Sequence, residues 1–406
     1  MGKNVIVGQS GGPTSVINSS LAGVFQAAQS RGAVHVYGML NGVQGLLSNR
    51  YMDLSETITS TLQIELLKRT PSSYLGSCRY KLPEPEVDDT PFKQLFTLFK
   101  KLDIGYFFYI GGNDSMDTIG KLSRYAETIG SDIRMIGVPK TIDNDLVETD
   151  HTPGFGSAAK YIAATIKEII RDGHVYDQRT VTVVEVMGRN AGWLTGAAAL
   201  SKGEDCEGVD MICLPETDFH IDDFLSRVSA LQKIKPSVVI AVSEGIKTPD
   251  GKYVCELSDY ASFTDAFGHR SLSGAARLLA NRAAQSLGCK TRSVELSTMQ
   301  RCAGHLTSRV DITEAFQVGG AAVKAAFEGL TRQMVALKRL SDDPYQITTC
   351  LVPIDKVANH EKKVPDHWIT EDGVGVTKEF LGYVRPLIQA EITPFFVEGL
   401  PRHIHI

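Results

Sequence analysis

Apolar runs that end in glycine-rich or charged turns, each joined to a stretch of helical period, recur along most of this chain. Residues 4–7 read as a strand, 8–14 as a glycine-rich turn and 16–30 as a helix, with a second strand at 34–39. Residues 91–102 carry Phe92, Leu95, Phe96 and Phe99 at helical spacing, and 105–110 (G-Y-F-F-Y-I) form a buried type of strand. A helix over 115–129 and a strand over 133–138 follow. The rhythm continues with helices over 158–172, 191–201, 222–233 and 310–327, and strands over 181–186, 209–214, 237–242 and 294–297. This alternation restricts the chain to an α/β fold with parallel sheets covered on both faces. In such folds ligands bind beyond the carboxyl ends of the strands.

Composition removes several function classes. With 406 residues, the chain is long enough for two or three domains, or for two lobes of one enzyme. Its 43% hydrophobic and 22% charged residues are ordinary for a globular protein. A net charge of −5 without a long basic run argues against nucleic acid as a partner. Seven cysteines, none in a C-x-x-C, point to a reducing compartment and away from zinc, so cytoplasm is expected. No run approaches the ~18 apolar residues of a membrane span. Residues 247–268 are polar and lack a period, so an insertion or lid is expected there; residues 351–406 receive no assignment.

Four segments at strand ends carry the chemistry. Gly137 to Asp145 reads G-V-P-K-T-I-D-N-D. Pro139 makes it a loop, and it gathers Lys140, Asp143 and Asp145 within six residues. One acid of such a pair can hold a metal while the other activates a hydroxyl, although Asp and Asn also suit a plain turn. Gly11 and Gly12, in Q-S-G-G-P-T, let backbone N–H groups approach a phosphate or merely make a tight turn; there is no Walker G-K-[ST] ending. Gly112, Asn113, Asp114 and Ser115 read as a phosphate and metal loop or as a capped helix start. Met187, Gly188 and Arg189 offer an arginine fork at a strand end. Arg79, closing L-G-S-C-R, reads on its own as a solvated charge.

In this order, G-G, L-G-S-C-R, G-G-N-D-S, P-K-T-I-D-N-D, E-V-M-G-R, S-E-G and M-Q-R resemble the phosphofructokinases over about residues 3–330. The resemblance implies two doubly wound parallel-sheet lobes with the active site in the cleft between them. It implies a phosphoryl-donor lobe from 1–153 with about 302–350, and a sugar-phosphate lobe from 154–301. It assigns Asp143 as the base for the C1 hydroxyl of fructose 6-phosphate and Asp145 to Mg2+. Thr141 is expected against the phosphoryl group or the sugar, with Gly11, Gly12 and Arg79 in the donor half. Met187, Gly188, Arg189 and Glu244 are expected at the sugar. Arg292 and Arg301 are expected at its 6-phosphate, with Arg179 a further candidate one residue out of register. Because sugar sites in this family borrow arginines across an interface, a homodimer or homotetramer is implied.

Asp114 and Lys140 stand where ATP-dependent members resemble G-G-D-G-S and P-G-T-I-D-N-D. Both resemble the pyrophosphate-dependent branch, whose reversible transfer serves glycolysis and gluconeogenesis. A carboxylate at 114 would fill and repel the space of a nucleotide's α-phosphate, while Lys140 adds a cation for pyrophosphate. Three departures stand out. Asn113 replaces the usual metal-binding aspartate; with Asp145 it is expected at the metal, as a weaker amide ligand, so the metal leans on Asp145 and the donor's oxygens. Thr298 replaces the usual sugar-contacting His or Tyr. Ala22 and Gln26 occupy first-helix positions where allosteric members place arginines, so a nucleotide effector site is expected to be absent. The alternatives are an ATP-dependent enzyme, transfer to sedoheptulose 7-phosphate, and a non-catalytic sugar-phosphate-binding regulator.

Overall fold

A computed structural model describes residues 4–257 and 272–405. Its main elements run β1 (Asn4–Gln9), α1 (Ile17–Ser30), β2 (Val36–Met39), β3 (Tyr51–Asp53), α2 (Thr90–Lys101), β4 (Ile104–Gly111), α3 (Asn113–Thr128), β5 (Arg134–Pro139) and α4 (Phe155–Gly173). They continue β6 (Thr180–Val186), β7 (Met211–Cys213), α5 (Ile221–Leu231), β8 (Ser237–Ser243), α6 (Ala275–Leu287), β9 (Lys290–Glu295), α7 (Arg309–Phe327), β10 (Gln333–Asp342), β11 (Tyr345–Pro353) and α8 (Lys378–Val384).

Seven strands form one sheet in the order β11-β10-β5-β4-β1-β2-β3, and four form another in the order β7-β8-β6-β9. Side chains of a strand alternate between faces, and the apolar runs use this. Val5, Val7, Phe108 and Ile110 face a core shared with Leu21 and Phe25 of α1 and Val318 of α7. Ile6, Phe107 and Tyr109 face the opposite core, with Phe92 and Phe99 of α2 and Ile119 of α3. The smaller sheet divides likewise. Val184 and Val186 pack on α4, while Val181 and Val183 pack on Phe224 of α5 and Leu279 of α6. Burial on both faces explains why these strands read as continuous apolar runs.

The larger sheet is mixed rather than wholly parallel. β3 pairs antiparallel to β2 at one edge and β11 antiparallel to β10 at the other. β1 and β4 are neighbours, and the chain leaves them in opposite directions, toward β2 and toward β5. That is the topological switch point where such sheets bind ligands. The predicted helix over 191–201 divides into a single turn, Trp193–Gly196, and a 3-10 segment, Ala197–Ser201. β9 begins at Lys290, earlier than its apolar residues suggested. Of the expected insertion, residues 258–268 lie outside the described residues. Within the remainder, Val254 and Cys255 are buried in the smaller lobe's core.

The unassigned C-terminal segment is built into both lobes. β11 runs past residue 350, and Phe380 of α8 stacks on Trp193 with ring centroids 6.0 Å apart. Among the described residues, no helix is long and apolar enough to cross a membrane.

Candidate active site

Loops from the carboxyl ends of β1, β4, β5, β6 and β8 line one cleft of about 600 Å³. Each has a local reason for its shape. Gly11 sits at φ +76 and donates its N–H to the Cys78 carbonyl (3.2 Å), while Ser77 Oγ donates to the Gly11 carbonyl (2.6 Å). These bonds draw the L-G-S-C-R segment onto the first turn and bring Arg79 to the cleft. A side chain at Gly111 would overlap Ser115 Oγ at 1.8 Å, so the β4 turn is glycine by necessity.

The acid loop is held from inside. Thr141 Oγ1 accepts the Asp143 N–H (3.1 Å). Asn144, at φ +55, donates to Tyr383 Oη (2.8 Å) and accepts from the Thr152 N–H (3.1 Å). Asn144 is a residue type that tolerates this left-handed conformation. Asp143 and Asp145 are thereby fixed beside the cleft without being bonded to each other.

Lys140 is 2% exposed and donates Nζ to the Gly12 carbonyl (2.7 Å), tying the β5 loop to the first glycine turn. Burial lowers its pKa to about 8, opposed by Asp143 and Asp145. Burial raises Asp143, opposed by Lys140, Arg189 and Arg301. Burial first, and then Asp143, push Asp145 up to about 7. Glu244 rises to about 8, chiefly by desolvation with repulsion from Asp143. A cleft with these shifts favours added positive charge near the acids, as a metal would supply, and negative charge near Lys140.

From the smaller sheet, Ser243 Oγ donates to the Gly188 carbonyl (2.6 Å) and the Gly188 N–H donates to Glu244 Oε1 (3.4 Å). Gly188 itself shapes the loop that carries Met187 and Arg189 into the cleft. Gln300 Oε1 accepts the Met187 N–H (3.2 Å), which brings the M-Q-R segment alongside. Arg301 reaches the donor side: a side-chain carbon at Gly12 would lie 3.1 Å from its Nη1.

The family model described as Phosphofructokinase matches residues 4–326. The chain belongs to the phosphofructokinase family. The pyrophosphate–fructose 6-phosphate 1-phosphotransferase of Halomonas elongata is 41% identical over 403 residues, covering 98% of this chain and 95% of that one. The enzyme of the same name from Xanthomonas campestris is 40% identical, covering 99% and 96%. The crystal structure of a pyrophosphate-dependent phosphofructokinase from Nitrosospira multiformis superposes with a TM-score of 0.89 at 38% identity, covering 99% and 96%.

Among the residues expected from the phosphofructokinase motifs, Gly11, Gly12, Arg79, Gly112, Asn113, Asp114, Ser115, Lys140, Thr141, Asp143, Asp145, Met187, Arg189, Glu244 and Arg301 line the cleft. Gly188, Arg179 and Arg292 do not, Gly188 being buried between Met187 and Arg189. Arg179 precedes β6, at the far end of the strand, and binds Gln232 Oε1 through Nε (3.2 Å) and Nη2 (2.7 Å). Arg292 lies within the edge strand β9, 3.5 Å from Asp172 Oδ2.

Asn113 corrects an expectation. Its carboxamide accepts the Asn359 N–H and donates to the His360 carbonyl, so it holds the C-terminal segment instead of facing a metal. Only an amide can make both bonds, since a carboxylate has no donor. Asp145 fits a cation better: its Oδ1 is shut off from solvent and has no hydrogen-bond partner. Among the described residues no three His, Cys, Asp or Glu side chains form a cluster fit to hold an ion.

The sequence reading missed the C-terminal contribution. Asn359 and Glu361 line the cleft. The Lys362 N–H donates to the Asp145 carbonyl (2.7 Å), and its Nζ donates to the carbonyls of Thr149 (3.1 Å) and Asp150 (2.7 Å). The only signal in the sequence was the polar run N-H-E-K-K after an apolar strand, which also describes an ordinary surface loop.

Proposed function

We propose that this protein transfers a phosphoryl group from pyrophosphate to the C1 oxygen of fructose 6-phosphate, giving fructose 1,6-bisphosphate and phosphate. The observation that carries this reading is the pairing of Lys140 with Asp114 in the donor half of a cleft that also holds Asp143. Lys140 projects a buried ammonium at the Gly11–Gly12 turn, where it meets a compact, highly charged donor. Asp114 stands in the first turn of α3 and disfavours a further phosphate there.

Asp143 accepts the C1 hydroxyl proton as that oxygen attacks. Arg79, Lys140 and Arg301 offset charge on the transferring group, and Arg189 and Glu244 orient the sugar. Positioning and charge neutralisation supply most of the catalysis in phosphoryl transfer. Asp145 is the residue that would hold Mg2+, which when bound offsets charge on the donor's oxygens. Because pyrophosphate is a weaker phosphoryl donor in cells than ATP, the reaction runs in both directions.

The two separate sheets support a lobe division of 1–153 with about 302–350 for the donor and 154–301 for the sugar, with 351–406 reaching both. Seven free thiols support a cytoplasmic location. The two arginines outside the cleft support a homo-oligomer whose sugar site is completed across an interface. The deciding assay compares forward rates with Mg2+-pyrophosphate and Mg2+-ATP at saturating fructose 6-phosphate. Faster turnover with pyrophosphate is expected; turnover with ATP alone would overturn the reading.

A further inference from the structure

Lys362 lies beyond the family-matched residues 4–326, yet its three polar groups engage both lobes. Its N–H donates to the Asp145 carbonyl (2.7 Å), and its Nζ donates to the carbonyls of Thr149 (3.1 Å) and Asp150 (2.7 Å). Its own carbonyl accepts from Trp193 Nε1 (3.0 Å). The first three bonds reach the acid loop. The fourth reaches the turn that directly follows Arg189, Asn190 and Ala191 of the cleft.

The acid loop needs such a partner. It leaves β5 after Pro139 and returns at Gly154, which bridges to Thr141. Its ends are pinned to each other: Thr152 Oγ1 donates to the Thr141 carbonyl (2.9 Å), and the Thr152 N–H to Asn144 Oδ1 (3.1 Å). The stretch 145–150 between them contains neither strand nor helix. Backbone groups there must find partners elsewhere. Lys362 supplies them at both ends of the stretch, at Asp145 and at Thr149 and Asp150. Residue 362 is itself held from the smaller lobe. The Trp193 ring centroid lies 5.3 Å from Nζ. Two residues on, the Val364 N–H donates to Glu216 Oε1 (3.0 Å), which also accepts the Gly192 N–H (2.8 Å).

We propose that Lys362 is a positioning residue for the transfer, setting the loop of Asp143 and Asp145 against the Arg189 loop of the opposite lobe. This rests on the phosphoryl-transfer reading above. Misplacing reacting groups by about 1 Å costs roughly 10²-fold in rate. The contacts that Arg189, Arg301 and Glu244 offer the sugar do not pass through Lys362. Its loss should therefore appear in kcat and not in the KM for fructose 6-phosphate.

Lys362→Met keeps the length of the side chain and removes its donors. Steady-state kinetics of the full-length protein with Mg2+-pyrophosphate should show kcat lowered about 10–100-fold, the scale of a hydrogen bond to a charged group. The KM for fructose 6-phosphate should stay within about twofold, well under that scale. Lys362→Arg, which can still donate to both carbonyls, should recover most of the rate. A purely structural role would lower the denaturant midpoint and leave kcat per folded molecule unchanged, and that result would overturn the proposal. A raised KM at constant kcat would overturn it too, as would Lys362→Arg being as slow as Lys362→Met. Should Lys362→Met fail to fold, Trp193→Phe decides. It keeps a ring beside Nζ and removes the N–H that holds residue 362, so kcat should fall about 2–10-fold, the scale of a neutral hydrogen bond, at constant KM. An unchanged kcat there would again overturn the proposal. Wild type that turns over Mg2+-ATP alone would overturn the donor reading and not this one, because the same kcat comparison is then made with ATP.

Discussion

On the seven-stranded side of the cleft, Lys140 is 2% exposed, bonded to the glycine turn, and its ionisation is altered by burial. On the four-stranded side, two of the arginines expected at the sugar phosphate lie outside the cleft, and Arg292 belongs to a strand with no buried residue. One half of the site is enclosed by its own chain, and the other is open along β9. Enclosure is what makes charge chemistry strong, since desolvated groups interact through a low dielectric. The donor half should therefore respond to single substitutions in rate, and the sugar half in binding and assembly.

The largest expected effect tests the enclosed side. Asp143→Ser should lower kcat by ~10²–10⁴, the range of a general base, with the KM for fructose 6-phosphate nearly unchanged. Steady-state kinetics in both directions measures it, and an undiminished kcat would remove Asp143 from the proton transfer. Next comes donor choice. Asp114→Gly with Lys140→Gly should shift the ratio of kcat/KM for pyrophosphate to that for ATP by ~10–100-fold toward ATP, the scale of one charge-assisted hydrogen bond. A ratio unmoved by the pair would mean that donor selection lies elsewhere in the cleft.

The two halves also differ in how far they could be read from sequence. The strands around the switch point announce themselves as apolar runs because both faces of each are covered: Phe107 and Phe108 serve opposite cores. Their turns then locate Gly11, Asp114 and Asp143 without a structure. The edges were less legible. β9 alternates polar residues because it is half-exposed, so only its last residues looked like a strand. The C-terminal segment 351–406 was not legible at all. Its elements are 3-10 turns of three or four residues, such as Ile354–Lys356 and Asp366–Trp368, and α8 has seven. Segments this short have no measurable period, and their positions come from tertiary bonds such as Asn113 to His360. Asn113 looked like a weakened metal ligand because the partner that explains it lies 247 residues away.

A smaller effect probes the open side. Arg292→Ala should raise the KM for fructose 6-phosphate by about tenfold at constant kcat, the scale of a charged hydrogen bond of about 1.5 kcal/mol. Sedimentation measured alongside should show the oligomer intact. An unchanged KM in the intact oligomer would confine the sugar site to one chain and remove the asymmetry drawn above.

The smallest effect on rate concerns the joint between the halves. His151, 1% exposed, lies between Asp150 (2.7 Å) and Glu314 (2.6 Å). Arg339 of β10 also binds Asp150 (2.9 Å), and Tyr345 donates to Glu314 (2.7 Å). Tyr383 of α8 donates to the Asp150 carbonyl, so the C-terminal segment is tied to the same cluster. Burial opposes the charged imidazole, but Glu314 and Asp150 outweigh it and raise the pKa from 6.5 to about 9. A raised histidine binds more protons folded than unfolded between those values. Its stabilisation is therefore complete below pH 6.5 and is lost as pH rises through 9, at up to ~1.4 kcal/mol per pH unit. Asp145 and Glu244, raised to about 7 and about 8, also make the empty protein less stable as pH rises from the acid side. Wild type must therefore be compared with His151→Gln, not read alone. Denaturant unfolding of the two at pH 6 and pH 9 separates the contributions. The variant should lose stability at pH 6 and show the flatter dependence, while its kcat at neutral pH stays close to wild type. Equal slopes would mean that the imidazole is neutral when folded, and that the joint is held by Arg339 and the tyrosines without a buried positive charge at 151.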